Sequence, residues 1–168
     1  MTVLVPAGLP ILDAARWVGA SCWLELTVHQ LLTVELARAD LDDQARVVRW
    51  RVRAHRAEAA AAWHQRLPEL REFPREGFVA PPADDGIDGF DGFDEFDGSG
   101  DQWWVAGDAG AASGGIDLVD VLDRLDRRYH GHEARAVGAA DGPVRVTLSR
   151  ARDLLATDRW ALGSLPPR

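Results

Sequence analysis

The sequence predicts an all-α protein: a four-helix bundle made of two antiparallel helix pairs joined by a long middle connection. Three observations carry this. Four stretches repeat apolar residues in alternating steps of three and four, the spacing that lines one face of a helix. The first two stretches, like the last two, are separated by only a few residues, which forces each pair to lie antiparallel. Between the pairs, residues 68–116 carry Pro68, Pro74, Pro81, Pro82 and many glycines, a composition no regular helix tolerates.

The first helix starts at Pro10, a residue favoured in the first turn, and runs to about Ala37. Its inward seam reads Ile11, Ala15, Val18, Cys22, Glu25, His29, Leu32 and Leu36. Leu12, Trp17, Trp23, Leu24, Leu26, Val28 and Leu31 make its other faces apolar as well, so burial on several sides is expected. Asp40, Asp42 and Asp43 supply a cap and negative charge for the start of a second helix ending near Arg66, with Val48, Val52, His55, Ala59 and Ala62 inward. Trp50 and Trp63 are expected to fill the space beside the small residues 59–62. A third helix spans about Asp117 to Val137, with Leu118, Leu122, Leu125, Tyr129, His132 and Ala136 as its seam. Pro143 opens a fourth, ending near Gly163, with Val144, Leu148, Ala151, Leu155, Asp158 and Leu162 inward.

At 168 residues the chain fits a single domain, 1–168, large enough for a core without disulfides. Cys22 is the only cysteine, so no thiolate cluster or internal disulfide can form and a reducing, cytoplasmic setting is expected. Residues 1–10 lack a basic start followed by an apolar run, and no stretch of about twenty apolar residues occurs, so neither export nor a membrane span is expected. The net charge of −8 resides in residues 83–101, which hold eight acidic and no basic residues, leaving the remainder formally neutral. With no basic stripe, nucleic acid is not an expected partner.

Four inward-facing seams bring Glu25, His29, His55, His132 and Asp158 toward the axis, and Glu58 follows His55 by one helical turn. Imidazoles and carboxylates of this kind suit a hard or borderline divalent ion such as iron, manganese or zinc. The same residues equally describe a hydrogen-bonded polar core without metal, and the spacing leaves both readings open. Within 83–101, the run Gly86-Ile87-Asp88-Gly89-Phe90-Asp91-Gly92-Phe93-Asp94-Glu95-Phe96-Asp97-Gly98 repeats acid and aromatic every third residue. An EF-hand needs acids at alternate positions and a Glu at the twelfth, so calcium is not indicated. A flexible acidic, aromatic tract is suited to docking on a basic, apolar protein partner. His64, near the end of the second helix, reads as a residue favouring the helix dipole, and Cys22 as a small core residue.

The runs Leu12-Asp13-Ala14-Ala15-Arg16-Trp17, Glu25-Leu26-Thr27-Val28-His29-Gln30-Leu31-Leu32 and Trp63-His64-Gln65-Arg66-Leu67-Pro68-Glu69-Leu70, with Asp141-Gly142-Pro143-Val144 and Asp153 to Trp160, resemble small ferritin-like proteins of high-GC bacteria. The resemblance implies a ferritin-like bundle whose long connection travels the length of the molecule. Catalytic members take a Glu from each of two helices and Glu-x-x-His from the other two. Here Glu25 matches the first Glu, but the second helix offers His55-Arg56-Ala57-Glu58 in reversed order, the third His130-Gly131-His132-Glu133, and the fourth Asp153 and Asp158 without a His. The resemblance therefore implies a ferritin-like protein without the usual di-iron set, acting as a binding or scaffold module. The alternative is an iron- or manganese-dependent oxidoreductase built on Glu25, His29, His55, Glu58, His132 and Asp158. A homo-oligomer is compatible with either. The tail Leu162-Gly163-Ser164-Leu165 is similar to the Gly-Ser-Leu loading tails of encapsulin cargo.

Overall fold

In the computed structural model, which describes residues 8–38, 40–82 and 117–165, the chain forms four α-helices and two 3-10 turns. The helices are α1 (Ile11–Leu36), α2 (Asp43–His64), α3 (Leu118–Arg135) and α4 (Gly142–Gly163). Their starts follow local chemistry. Asp42 caps α2 by accepting from the Ala45 amide at 2.7 Å, and Asp117 caps α3 by accepting from the Val119 and Asp120 amides at 2.9 and 3.3 Å. Pro143 occupies the first turn of α4, where its missing N–H costs nothing.

Side-chain pairs fix the arrangement. Glu25 meets Arg56 while His29 meets Arg53, so α1 and α2 are antiparallel. Trp17 and Ser21 meet His132 while Glu25 meets Tyr129, so α1 and α3 are antiparallel. Asp158 meets Arg56 while Arg150 meets Glu58, and Asp123 meets Arg159 while Glu133 meets Arg152. Each helix thus has two antiparallel neighbours, and α2 and α3 run in the same direction across the diagonal. The connection from α2 to α3 leaves one end of the bundle and rejoins it at the other. Its first part, including the 3-10 turn Arg75–Phe78, lies against α1. Contact is so close there that a Cβ on Gly19 would sit 1.8 Å from the Phe78 carbonyl oxygen, so only glycine fits.

The predicted seams of α3 and α4 are inward but for one residue: Leu118, Leu122, Leu125, Tyr129, His132 and Ala136, with Leu148, Ala151, Leu155, Asp158 and Leu162, are buried, whereas Val144 in the first turn of α4 is half-buried. In α1, Ala15, Val18, Cys22, Glu25 and Leu32 are buried and His29 and Leu36 half-buried, but Ile11 is 62 % exposed. Trp17, Leu24, Val28 and Leu31 are buried on further faces, whereas Leu12 and Leu26 are exposed. The second seam needs correction. Val52, Arg56, Ala59, Ala60 and Trp63 point inward, Val48, His55 and Ala62 are half-buried, and Trp50 is exposed. The helix is turned by about half a residue position from the expected phase, which carries Arg56 into the axis, while Trp50, two residues from both Val48 and Val52, lies opposite the seam in either phase.

No helix among the described residues is long and apolar enough to cross a membrane. The acidic tract 83–101 lies outside the described residues, as does most of the expected connection 68–116. Leu165, within the tail noted above, packs against the core.

Candidate functional site: a buried ion-paired core

One helix turn from each of the four helices meets near the middle of the bundle. From α2 comes Arg56, from α1 Glu25 and from α4 Asp158, each wholly buried. The guanidinium lies between the two carboxylates. Its Nη1 donates to Glu25 Oε1 and Oε2, both at 3.1 Å, and its Nη2 donates to Asp158 Oδ2 at 2.9 Å. The planar fork of arginine makes this possible, since one rigid cation can address two carboxylates on different helices. From α3, the Tyr129 hydroxyl donates to Glu25 Oε1 at 2.5 Å and accepts from Trp63 Nε1 at 2.9 Å. The second Asp158 oxygen meets His55 Nδ1 at 2.7 Å, and His55 is the one member with a partly exposed side chain, at 22 %.

The electrostatics follow from burial set against pairing. Loss of solvent pushes the Glu25 carboxyl up, while Arg56 and the hydrogen bonds from Tyr129 and Arg56 pull it back without fully offsetting the burial. For Arg56, burial favours the neutral form, but the combined charge of Glu25 and Asp158 outweighs it and holds the proton more firmly. Tyr129 is raised well above its ordinary range, first by burial and then by Glu25, and serves as a neutral donor. Cys22, one turn from Glu25, is pushed to about 11 by burial and that carboxyl, and its Sγ donates to the Ala60 carbonyl oxygen at 3.5 Å. It is a core residue rather than a nucleophile.

A second cluster lies toward the N-terminal end of α1. His132 is 2 % exposed, with its ring stacked on Trp63 (centroids 5.4 Å apart, planes at 22°), tilted against Trp17 at 5.3 Å, and its Nδ1 3.4 Å from Ser21 Oγ. The guanidiniums of Arg128 and Arg135 sit 3.6 and 4.8 Å from the Trp17 ring centroid. Burial, then the charges of Arg128 and Arg135, lower His132 to about 4, so it is neutral near pH 7.

Of the six residues predicted as a site, Glu25, His55 and Asp158 are brought together through Arg56. The other three are elsewhere. His132 belongs to the aromatic cluster. His29 lies at the α1–α2 margin, where its Nε2 accepts from Arg53 Nε at 3.2 Å and where burial and Arg53 lower its pKa. Glu58 is exposed and pairs with Arg150. The residues present do not fit a di-iron set, whose absence the resemblance already implied. The oxygens of Glu25 and Asp158 are engaged by Arg56, Tyr129 and His55, and among the described residues no three His, Cys, Asp or Glu side chains gather to hold a metal ion.

Sequence reasoning missed Arg56. Val52, Arg56, Ala59 and Trp63 repeat the four–three–four step of a seam, and two inward carboxylates require a cation, so the signal was present. Its charge argued for the outer face and concealed it. No family model matches the chain, and no match was found among curated proteins or solved structures.

Proposed function

We propose that this chain is a ferritin-like helical bundle acting as a binding or scaffold module, with an arginine in the core where catalytic relatives of that architecture would use metal. One observation carries the reading: Arg56 spans Glu25 and Asp158 and neutralises charge that a divalent ion would otherwise balance. The parallel course of α2 and α3 supports the ferritin-like chain plan, since such a pair needs a connection running the length of the bundle. Binding is assigned to the acidic, aromatic tract 83–101, because the rest of the chain is formally neutral.

The oxidoreductase reading would require Arg56 to leave Glu25 and Asp158, exposing two buried carboxylates to each other. A test is metal analysis of protein purified without chelators, combined with thermal melting in the presence and absence of chelator. The binding reading expects no stoichiometric iron, manganese or zinc and the same melting temperature in both conditions. A bound ion whose removal lowers the melting temperature would overturn it, because a ligand of the native state stabilises by mass action.

A further inference from the structure

Of the five histidines, His55 alone combines a fixed ring with an open nitrogen. Its Nδ1 lies 2.7 Å from Oδ1 of Asp158, a wholly buried residue whose other oxygen is held by Arg56. A carboxylate accepts and cannot donate, so the proton of the neutral ring sits on Nδ1 and the lone pair on Nε2. Nε2 has no partner among the described residues and is open to solvent, on the α2–α4 flank of the bundle. Each of the other rings lacks one of these conditions. His29 Nε2 accepts from Arg53, His130 Nε2 is taken up by Arg152 at 2.6 Å, and His132 is buried. His64, half-buried, pairs with no carboxylate among the described residues.

The flanking charges select the kind of group this nitrogen can take. Arg51, one helical turn before His55 and on the same flank, is exposed and makes no ion pair among the described residues. Glu58, about one turn beyond His55, is paired by Arg150. An anionic group at Nε2 therefore meets an available guanidinium and no uncompensated acid of α2. An imidazole that accepts a group at Nε2 while keeping its Nδ1 proton becomes a cation, and the buried Asp158 carboxylate faces that charge. Of the groups an imidazole takes up, the phosphoryl group is the one whose negative oxygens Arg51 can address.

We propose that His55 is a phosphoryl-acceptor site: Nε2 takes a phosphoryl group from a donor of the acyl phosphate or phosphoramidate class, with Asp158 as a positioning residue and Arg51 binding the phosphoryl oxygens. In this step the Nε2 lone pair forms the N–P bond, and the bond from phosphorus to the leaving group breaks. Its electron pair departs with the carboxylate of an acyl phosphate, or with the already protonated amine of a phosphoramidate. The Nδ1 proton stays on the ring, hydrogen-bonded to Asp158. The cationic phosphoimidazole so formed can pass its group to a further nucleophile, so the site serves transfer rather than storage. This goes beyond the binding reading and does not depend on residues 83–101.

The test incubates the full chain with potassium phosphoramidate and locates the product by phosphorus NMR and mass spectrometry. The expected product is an acid-labile phosphoryl group on His55, formed at least about tenfold faster than at His64, the effect of one hydrogen bond to a charged group. Arg51→Gln slows the reaction about threefold, as loss of an exposed charge pair does, and His55→Gln abolishes it with helix content unchanged. In Asp158→Asn the side-chain amide can donate to Nδ1, which moves the ring proton to Nε2 and removes the nucleophile. Nitrogen NMR of the imidazole reads that tautomer, and in the wild-type chain it is expected to show the proton on Nδ1. Phosphorylation that appears first at His64 or His130, or equally at all three, overturns the proposal. So does a wild-type His55 with its proton on Nε2, a result that needs no folded variant. Neither readout depends on metal content, so failure here and failure of the binding reading are distinguished.

Discussion

The two buried polar clusters of this bundle handle charge in opposite ways. At the centre, Glu25 and Asp158 surround Arg56, so carboxylates are set against a guanidinium. One turn away, His132 lies between two indoles beside Arg128 and Arg135, and the imidazole gives up its proton instead. The difference teaches that a histidine and a carboxylate in neighbouring seams need not form one site. Trp63 and Tyr129 join the clusters by a hydrogen bond, yet each answers removal of a group or a change of pH with its own sign.

The largest expected effect lies at the centre. Arg56→Met leaves two buried carboxylates without a counter-ion and should cost about 3–5 kcal/mol in urea denaturation. The triple change Glu25→Leu/Arg56→Met/Asp158→Leu should recover most of that loss, since removing a whole buried ion set is often neutral or stabilising. If the single and triple variants are equally unstable, the cluster matters by shape rather than charge.

The aromatic cluster should respond to acid. His132 is lowered from 6.5 to about 4 in the folded protein, so between those values the unfolded chain binds the extra proton. Its stabilising contribution is present above about pH 6.5 and is lost as pH falls toward 4, by roughly 3 kcal/mol at 1.36 kcal/mol per unit. Glu25 has the opposite sign. Its raised value means the folded state holds the proton more tightly, so stability falls as pH rises above the ordinary carboxylate value. His132→Phe should flatten the acid limb of a stability–pH profile relative to wild type; an unchanged slope from pH 6.5 to 4 would refute the assignment.

A smaller effect sharpens the link between the clusters. Tyr129→Phe removes the acceptor of Trp63 Nε1 and a donor to Glu25 together, with an expected cost of about 1–3 kcal/mol. The smallest change is expected away from both. Replacing residues 84–100 by a neutral linker of equal length should leave helicity and melting temperature nearly unchanged, as read by circular dichroism. A large loss of helix signal would mean the tract supports the bundle.

Much of the architecture was legible in the sequence because helix phase is written in apolar spacing. The acidic start of α2, the start of α3 near Asp117, most of the α3 and α4 seams, and the inward placement of Glu25, His132 and Asp158 all follow from local rules, although the cap of α2 is Asp42 while Asp40 pairs with Arg38. What was not legible is what lies beside each inward group. A seam assigns a side chain to the axis without giving its height along it, so His132 and Asp158 looked like neighbours. Arg56 was hidden by the general rule that arginine stays outside, which fails where two carboxylates enclose it. Glu58 follows His55 by three residues, but that step carries it past the α4 margin to Arg150.

The central claim, that Arg56 is the fixed cation of the core, is tested most directly by side-chain NMR of arginine-labelled protein during titration with zinc. A guanidinium held between Glu25 and Asp158 should give separate, slowly exchanging Nη signals, absent in Arg56→Met and undisturbed by the metal. Signals that collapse to those of a freely rotating arginine as zinc is added, with one equivalent bound, would contradict it.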